Sequence, residues 1–94
     1  MKALAAMIVV AFIGPATAAS APPPGAASCS GCHALHDTSS TAIPPIHGRD
    51  ADEILAAMTA FHDGTRPATV MNRIAKGFSE DELRAIALWL AAQK

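Results

Sequence analysis

Tyrosine is absent from the 94 residues, and the aromatic side chains are three phenylalanines and one tryptophan. Cysteine occurs only twice, at Cys29 and Cys32. No stretch alternates apolar and polar residues over a strand's length, and no segment repeats. Cationic side chains are also few, with seven Lys and Arg against eight Asp and Glu. Each shortage excludes something. Without a basic excess there is no electrostatic footprint for nucleic acid or for an anionic membrane surface. Without strands there is no βαβ frame for a thiol oxidoreductase. The longest uncharged apolar run, Ala3 to Ile13, is too short to span a bilayer. So few aromatics leave a small chain short of core, and small scaffolds need a disulfide, a metal or a cofactor to fold.

The amino terminus reads as an export leader. Lys2 precedes the apolar run, Gly14 and Pro15 break it, and Ala16-Thr17-Ala18 sets small residues at the −3 and −1 positions of a cleavage site. Residues 1–18 are expected to be a cleaved signal peptide, with no stable membrane insertion afterwards. The remaining chain is then periplasmic, in an oxidising compartment. Residues 19–27, with Pro22 to Pro24, form a Pro/Ala-rich linker that no helix can cross. A single domain is expected over 28–94.

That domain reads as all-α. A helix that carries the cysteines can begin only around Gly25. Asp37 to Thr41 is a polar loop, and Ala42 to Gly48 a stiff one with two prolines. Asp50 with Glu53 has the form of a capping box, and Ile54, Leu55, Met58 and Phe61 share a helical face that Gly64 ends. A short helix is expected from Val70 to Lys76, closed by Gly77. Ser79 with Glu82 opens a final helix whose stripe is Leu83, Ile86, Ala87 and Leu90, with Trp89 beside it.

The two cysteines lie in Cys29-Ser30-Gly31-Cys32-His33, a C-x-x-C-H run. A structural zinc site needs four ligands at recognised spacings, and His36 and His47 fit none of them. A plain disulfide is the second alternative. The third is covalent haem attachment, which C-x-x-C-H signs. Each thiol adds across one porphyrin vinyl group, and the next residue, His33, projects its imidazole at the iron. One haem c held through Cys29 and Cys32 is therefore expected. Opposite His33, electron carriers place a Met or a second His. The candidates are Met58, Met71, His36, His47 and His62. His36 is too near His33 to reach the far side. Met58 belongs to a helix face, and His62 sits at a helix end. Met71, after the Pro67 loop, is taken as the distal ligand. The other nitrogen of His33 needs an acceptor, and the rigid Ile43-Pro44-Pro45-Ile46-His47-Gly48 stretch offers the Pro44 carbonyl, with Ile46 against a haem face. Arg49, Arg66 and Arg73 are candidates for the propionates.

In this order the motifs resemble small class I cytochromes c, over roughly residues 25–94. The stretch "MTAFHDGTRPATVMNRIAKGFSEDEL" looks like the monohaem cytochrome subunit of flavocytochrome c sulfide dehydrogenases. The resemblance implies a small class I fold of three to four short helices around one haem. It also implies Met71, before Ile74-Ala75-Lys76-Gly77, as distal ligand, and Pro44 as the carbonyl donor. One departure is that no aromatic-bearing helix precedes Cys29. The amino-terminal helix is therefore shortened, and Trp89 must find another partner.

The implied role is single-electron transfer without catalysis, the partner being a redox protein, specifically a sulfide-oxidising flavoprotein subunit. A free electron shuttle is the alternative within that class. A haem enzyme or gas sensor with a vacant distal position, and a C-x-x-C thiol or metal module, are the other classes.

Overall fold

The computed structural model describes residues 8–11, 14, 21–35 and 42–93. Most of the expected leader, His36 and the Asp37 to Thr41 loop lie outside them. The described residues contain four helices and no strand: α1 (Ala26–Cys29), α2 (Ala51–Asp63), α3 (Met71–Ala75) and α4 (Glu80–Ala91). The all-α expectation holds, and α1, at four residues, is the shortened first helix.

α1 starts where the prolines allow. Gly25 caps it in the left-handed region at φ 86°, and the Ala26 N–H donates to the Pro23 carbonyl at 3.0 Å. Glycine is required here for two reasons. The φ is one that side-chain-bearing residues rarely adopt, and a Cβ would lie 2.5 Å from the Phe78 ring.

α2 opens on Asp50, whose side chain accepts from the Glu53 N–H at 3.0 Å. It ends at Gly64, left-handed at φ 77°. α4 carries the complete capping box. The Ser79 Oγ accepts from the Glu82 N–H at 3.2 Å, and a Glu82 carboxylate oxygen accepts from the Ser79 N–H at 3.0 Å. The expected stripe of Leu83, Ile86, Ala87 and Leu90 is the buried face of this helix. α3 is one residue shorter at each end than its expected span. Gly77 does not close it by a left-handed turn, because the positive-φ glycines among the described residues are Gly25, Gly48 and Gly64. The chain instead leaves α3 by turns, with the Gly77 N–H on the Ile74 carbonyl at 3.0 Å.

α4 is the hub, packing against α2 and α1, while α3 packs on α2. The central cluster is Ala26, Ile54, Ile86, Ala87 and Leu90. Cys29, Ile46, Leu55, Met58, Phe78 and Trp89 pack around it half-buried. Among the described residues no aromatic side chain is in the fully buried set. Trp89 meets the His47 ring edge-on, at 6.5 Å between centroids and 73° between planes. The partner that the sequence left open for Trp89 is thus the loop before α2.

Candidate functional site

The helical turn of α1 does not stop at Cys29. The His33 N–H donates to the Cys29 carbonyl at 2.9 Å and the Cys32 N–H to the same oxygen at 3.3 Å. Helical spacing then puts residues i, i+3 and i+4 on one side, and these residues are Cys29, Cys32 and His33. A Cβ at Gly31 would come within 3.2 Å of the Ser28 carbonyl, so the turn is tight at the position where the sequence has glycine.

Both cysteines are free thiols, Cys29 half-buried and Cys32 exposed. The Cys29 S–H points at the Gly25 carbonyl, 3.9 Å away. Burial pushes its pKa above the ordinary thiol value, and a backbone hydrogen bond partly offsets that.

The His33 Nδ1 lies 2.6 Å from the Pro44 carbonyl oxygen, across 11 residues of sequence. The carbonyl can only accept, so Nδ1 carries the proton and Nε2 keeps its lone pair for a metal. Pro44 is exposed and Ile46 half-buried, the latter packed on the central cluster. Met71 is the first residue of α3 and is half-buried. Met58 packs against the central cluster, as its helix-face position implied. His62 is exposed, with Nδ1 3.4 Å from Asp63 Oδ1. His47 engages Ser30, inside the C-x-x-C-H run, through Nε2 at 3.2 Å. Sequence reasoning missed this contact, because nothing local to His47 marks it. Of the three arginines, Arg49 reaches Glu53 at 4.0 Å, Arg66 stacks over the Phe61 ring at 4.9 Å, and Arg73 is exposed in the last turn of α3.

These residues fit a haem. The thiols and the imidazole form a donor set on one turn, and the Pro44 carbonyl of the later loop orients the imidazole. Four of the exposed large apolar side chains lie close in sequence to His33, Pro44 and Met71, while Leu88 on α4 is exposed as well. Leu35 is 61 % and Ile43 40 % exposed beside His33 and Pro44; Val70 is 51 % and Ile74 40 % exposed beside Met71. Such surface is costly in water and suits a porphyrin face. Among the described residues no three His, Cys, Asp or Glu side chains gather as a metal cluster, and no helix is long and apolar enough to cross a membrane.

No family model matches the chain. Two curated proteins do resemble it. One is the cytochrome subunit of sulfide dehydrogenase from Chlorobaculum tepidum, 43 % identical over 60 residues, which are 64 % of this chain and 54 % of that protein. The other is cytochrome c-552 from Acidithiobacillus ferridurans, 31 % identical over 65 residues, 69 % of this chain and 28 % of that one. The chain therefore spans about half the length of the first relative and less than a third of the second. A C-x-x-C-H turn on a four-helix frame, strand-free among the described residues, and two cytochrome relatives point the same way: the chain is similar to c-type cytochromes, among them the cytochrome subunit of sulfide dehydrogenase.

Proposed function

We propose that this protein is an exported monohaem electron carrier, the cytochrome subunit that takes single electrons from a sulfide-oxidising flavoprotein. The leader over 1–18 supports export to the periplasm, with 19–27 as linker and 28–94 as the cytochrome domain. The observation that carries the reading is the His33 Nδ1 to Pro44 contact at 2.6 Å on the same turn as two free thiols. The relative's name supplies the association with sulfide dehydrogenase.

When bound, haem c supplies a one-electron ferric–ferrous couple. Cys29 and Cys32 would hold it, each through one carbon–sulfur bond to a vinyl group, with the thiol proton passing to the neighbouring vinyl carbon. His33 would hold the iron through Nε2 while Pro44 keeps its ring in one tautomer. Met71 would be the second residue to hold the iron, after the His33 nitrogen, and its thioether would raise the potential, which suits acceptance from a flavin. Leu35, Ile43, Val70 and Ile74, exposed apolar side chains beside these residues in sequence, would keep water from the ring. With His33 and Met71 both holding the iron, it would be left no position for a substrate, and the role would be electron transfer.

The test is the visible spectrum and intact mass of the exported protein and of Met71→Ala. The wild type should carry one covalent haem and a ferric Fe–S(Met) charge-transfer band that Met71→Ala removes. A wild type without that band would return the haem enzyme or gas sensor with a vacant position. Co-elution of flavin and haem from native extract supports the subunit assignment, and a haem protein that elutes alone makes it a free shuttle.

A further inference from the structure

The loop 44–48 touches the cysteine turn at two points and α4 at two more. Pro44 holds His33 Nδ1 at 2.6 Å, and His47 Nε2 lies 3.2 Å from Ser30 Oγ. On the other side the His47 ring meets Trp89, and the Gly48 N–H donates to the Leu90 carbonyl at 2.9 Å. Ile46, between them, packs on the core.

The surroundings of His47 fix its tautomer. Its Nδ1 is buried and has no hydrogen-bond partner. A proton there would be a buried, unpaired donor, which is the costlier arrangement. The proton therefore sits on Nε2 and is donated to Ser30 Oγ. α1 holds the start of the turn, with Ala26 and Cys29 on the core, and the His33 contact holds its end. A second contact at Ser30, three residues away, holds its middle. Ser30 and Gly31 are both exposed, and glycine has the most backbone freedom to lose.

We propose that His47 is a positioning residue for the proximal ligand: by donating from Nε2 to Ser30 it locks the Cys29–Cys32 turn and thereby the angle of the His33 imidazole. This rests on the reading of His33 as the iron ligand.

The experiment uses the full-length, haem-loaded protein and four variants: His47→Ala, His47→Gln, Ser30→Ala and the double alanine. Amide exchange at Gly31 and Cys32 reports opening of the turn, and the midpoint potential reports the proximal ligand. His47→Ala and Ser30→Ala should each speed exchange about fivefold, the loss of one hydrogen bond. They should shift the potential equally and in the same direction, and the double variant should add nothing. Gln retains an N–H donor at similar reach and should restore both readouts. If Ser30→Ala changes neither, or if Gln behaves as Ala does, His47 only packs on Trp89 and the proposal falls. Should His47→Ala not fold, Ser30→Ala decides alone, since that serine is exposed. A wild type lacking the covalent haem mass removes the haem reading and this proposal together. Inert variants in a loaded protein remove the proposal only.

Discussion

Gly25 and Gly64 both have φ near +80°, yet substitution should tell them apart. At Gly64 a Cβ would meet nothing within 4 Å, whereas at Gly25 it would meet the Phe78 ring at 2.5 and 2.8 Å. Left-handed strain alone costs about 1–2 kcal/mol, and forcing a packed ring aside adds about 1–3 kcal/mol. Gly64→Ala should thus lower stability by about 1 kcal/mol, and Gly25→Ala by about 3 kcal/mol, as read from denaturant midpoints of the loaded protein. Equal losses would show that Phe78 yields freely. The sequence marked Gly25 only as the first position a helix could start from after the prolines. Phe78 lies far along the chain, so the close approach was invisible there. The pairing of His33 with Pro44 was legible, because the chemistry of a proximal imidazole demands an acceptor and the proline stretch supplied one. The Ser30–His47 contact was not, since neither residue type at that spacing signals a partner.

Elements that start on a side-chain cap were the most legible, since three or four adjacent residues settle them. Asp50 and Ser79 both cap as read, although only α4 closes the box in both directions. α3, with an uncapped Val70 ahead of it, was placed one residue too long at each end. The α4 box also has a pH signature. The Ser79 backbone N–H first, then its hydroxyl, holds the Glu82 carboxyl below its ordinary value. A carboxylate with a lowered folded-state pKa stabilises above its unfolded value and loses that contribution as pH falls through the folded one. Glu82→Gln should therefore be less stable than the wild type at pH 7, with the gap closing below about pH 4.3. Ser79→Ala should cost about 1 kcal/mol at neutral pH. Thermal melts from pH 7 down to pH 3 check both, and a pH-independent gap for Glu82→Gln would refute the assignment.

The whole molecule has a small interior. Among the described residues the buried apolar ones are Ala26, Ile54, Ala75, Leu83, Ile86, Ala87 and Leu90, with Leu90 the largest that is fully enclosed. The shortage of aromatics in the sequence predicted this, and the exposed Leu35, Ile43, Val70 and Ile74 show where the missing apolar contact belongs. A ligand that binds only the folded state adds its binding energy to stability. The chain with Cys29→Ala and Cys32→Ala together should lack covalent haem and lose its cooperative melt, followed by far-ultraviolet circular dichroism. A wild-type melt in that chain would mean that the polypeptide holds itself together. The unequal burial of the two sulfurs gives maturation a direction in time. Thiolate is the reactive form, and burial holds Cys29 protonated while Cys32 stands open to solvent. In chain not yet loaded with haem, a short pulse of iodoacetamide should label Cys32 well before Cys29. The same lag slows disulfide closure between the two sulfurs before haem is attached.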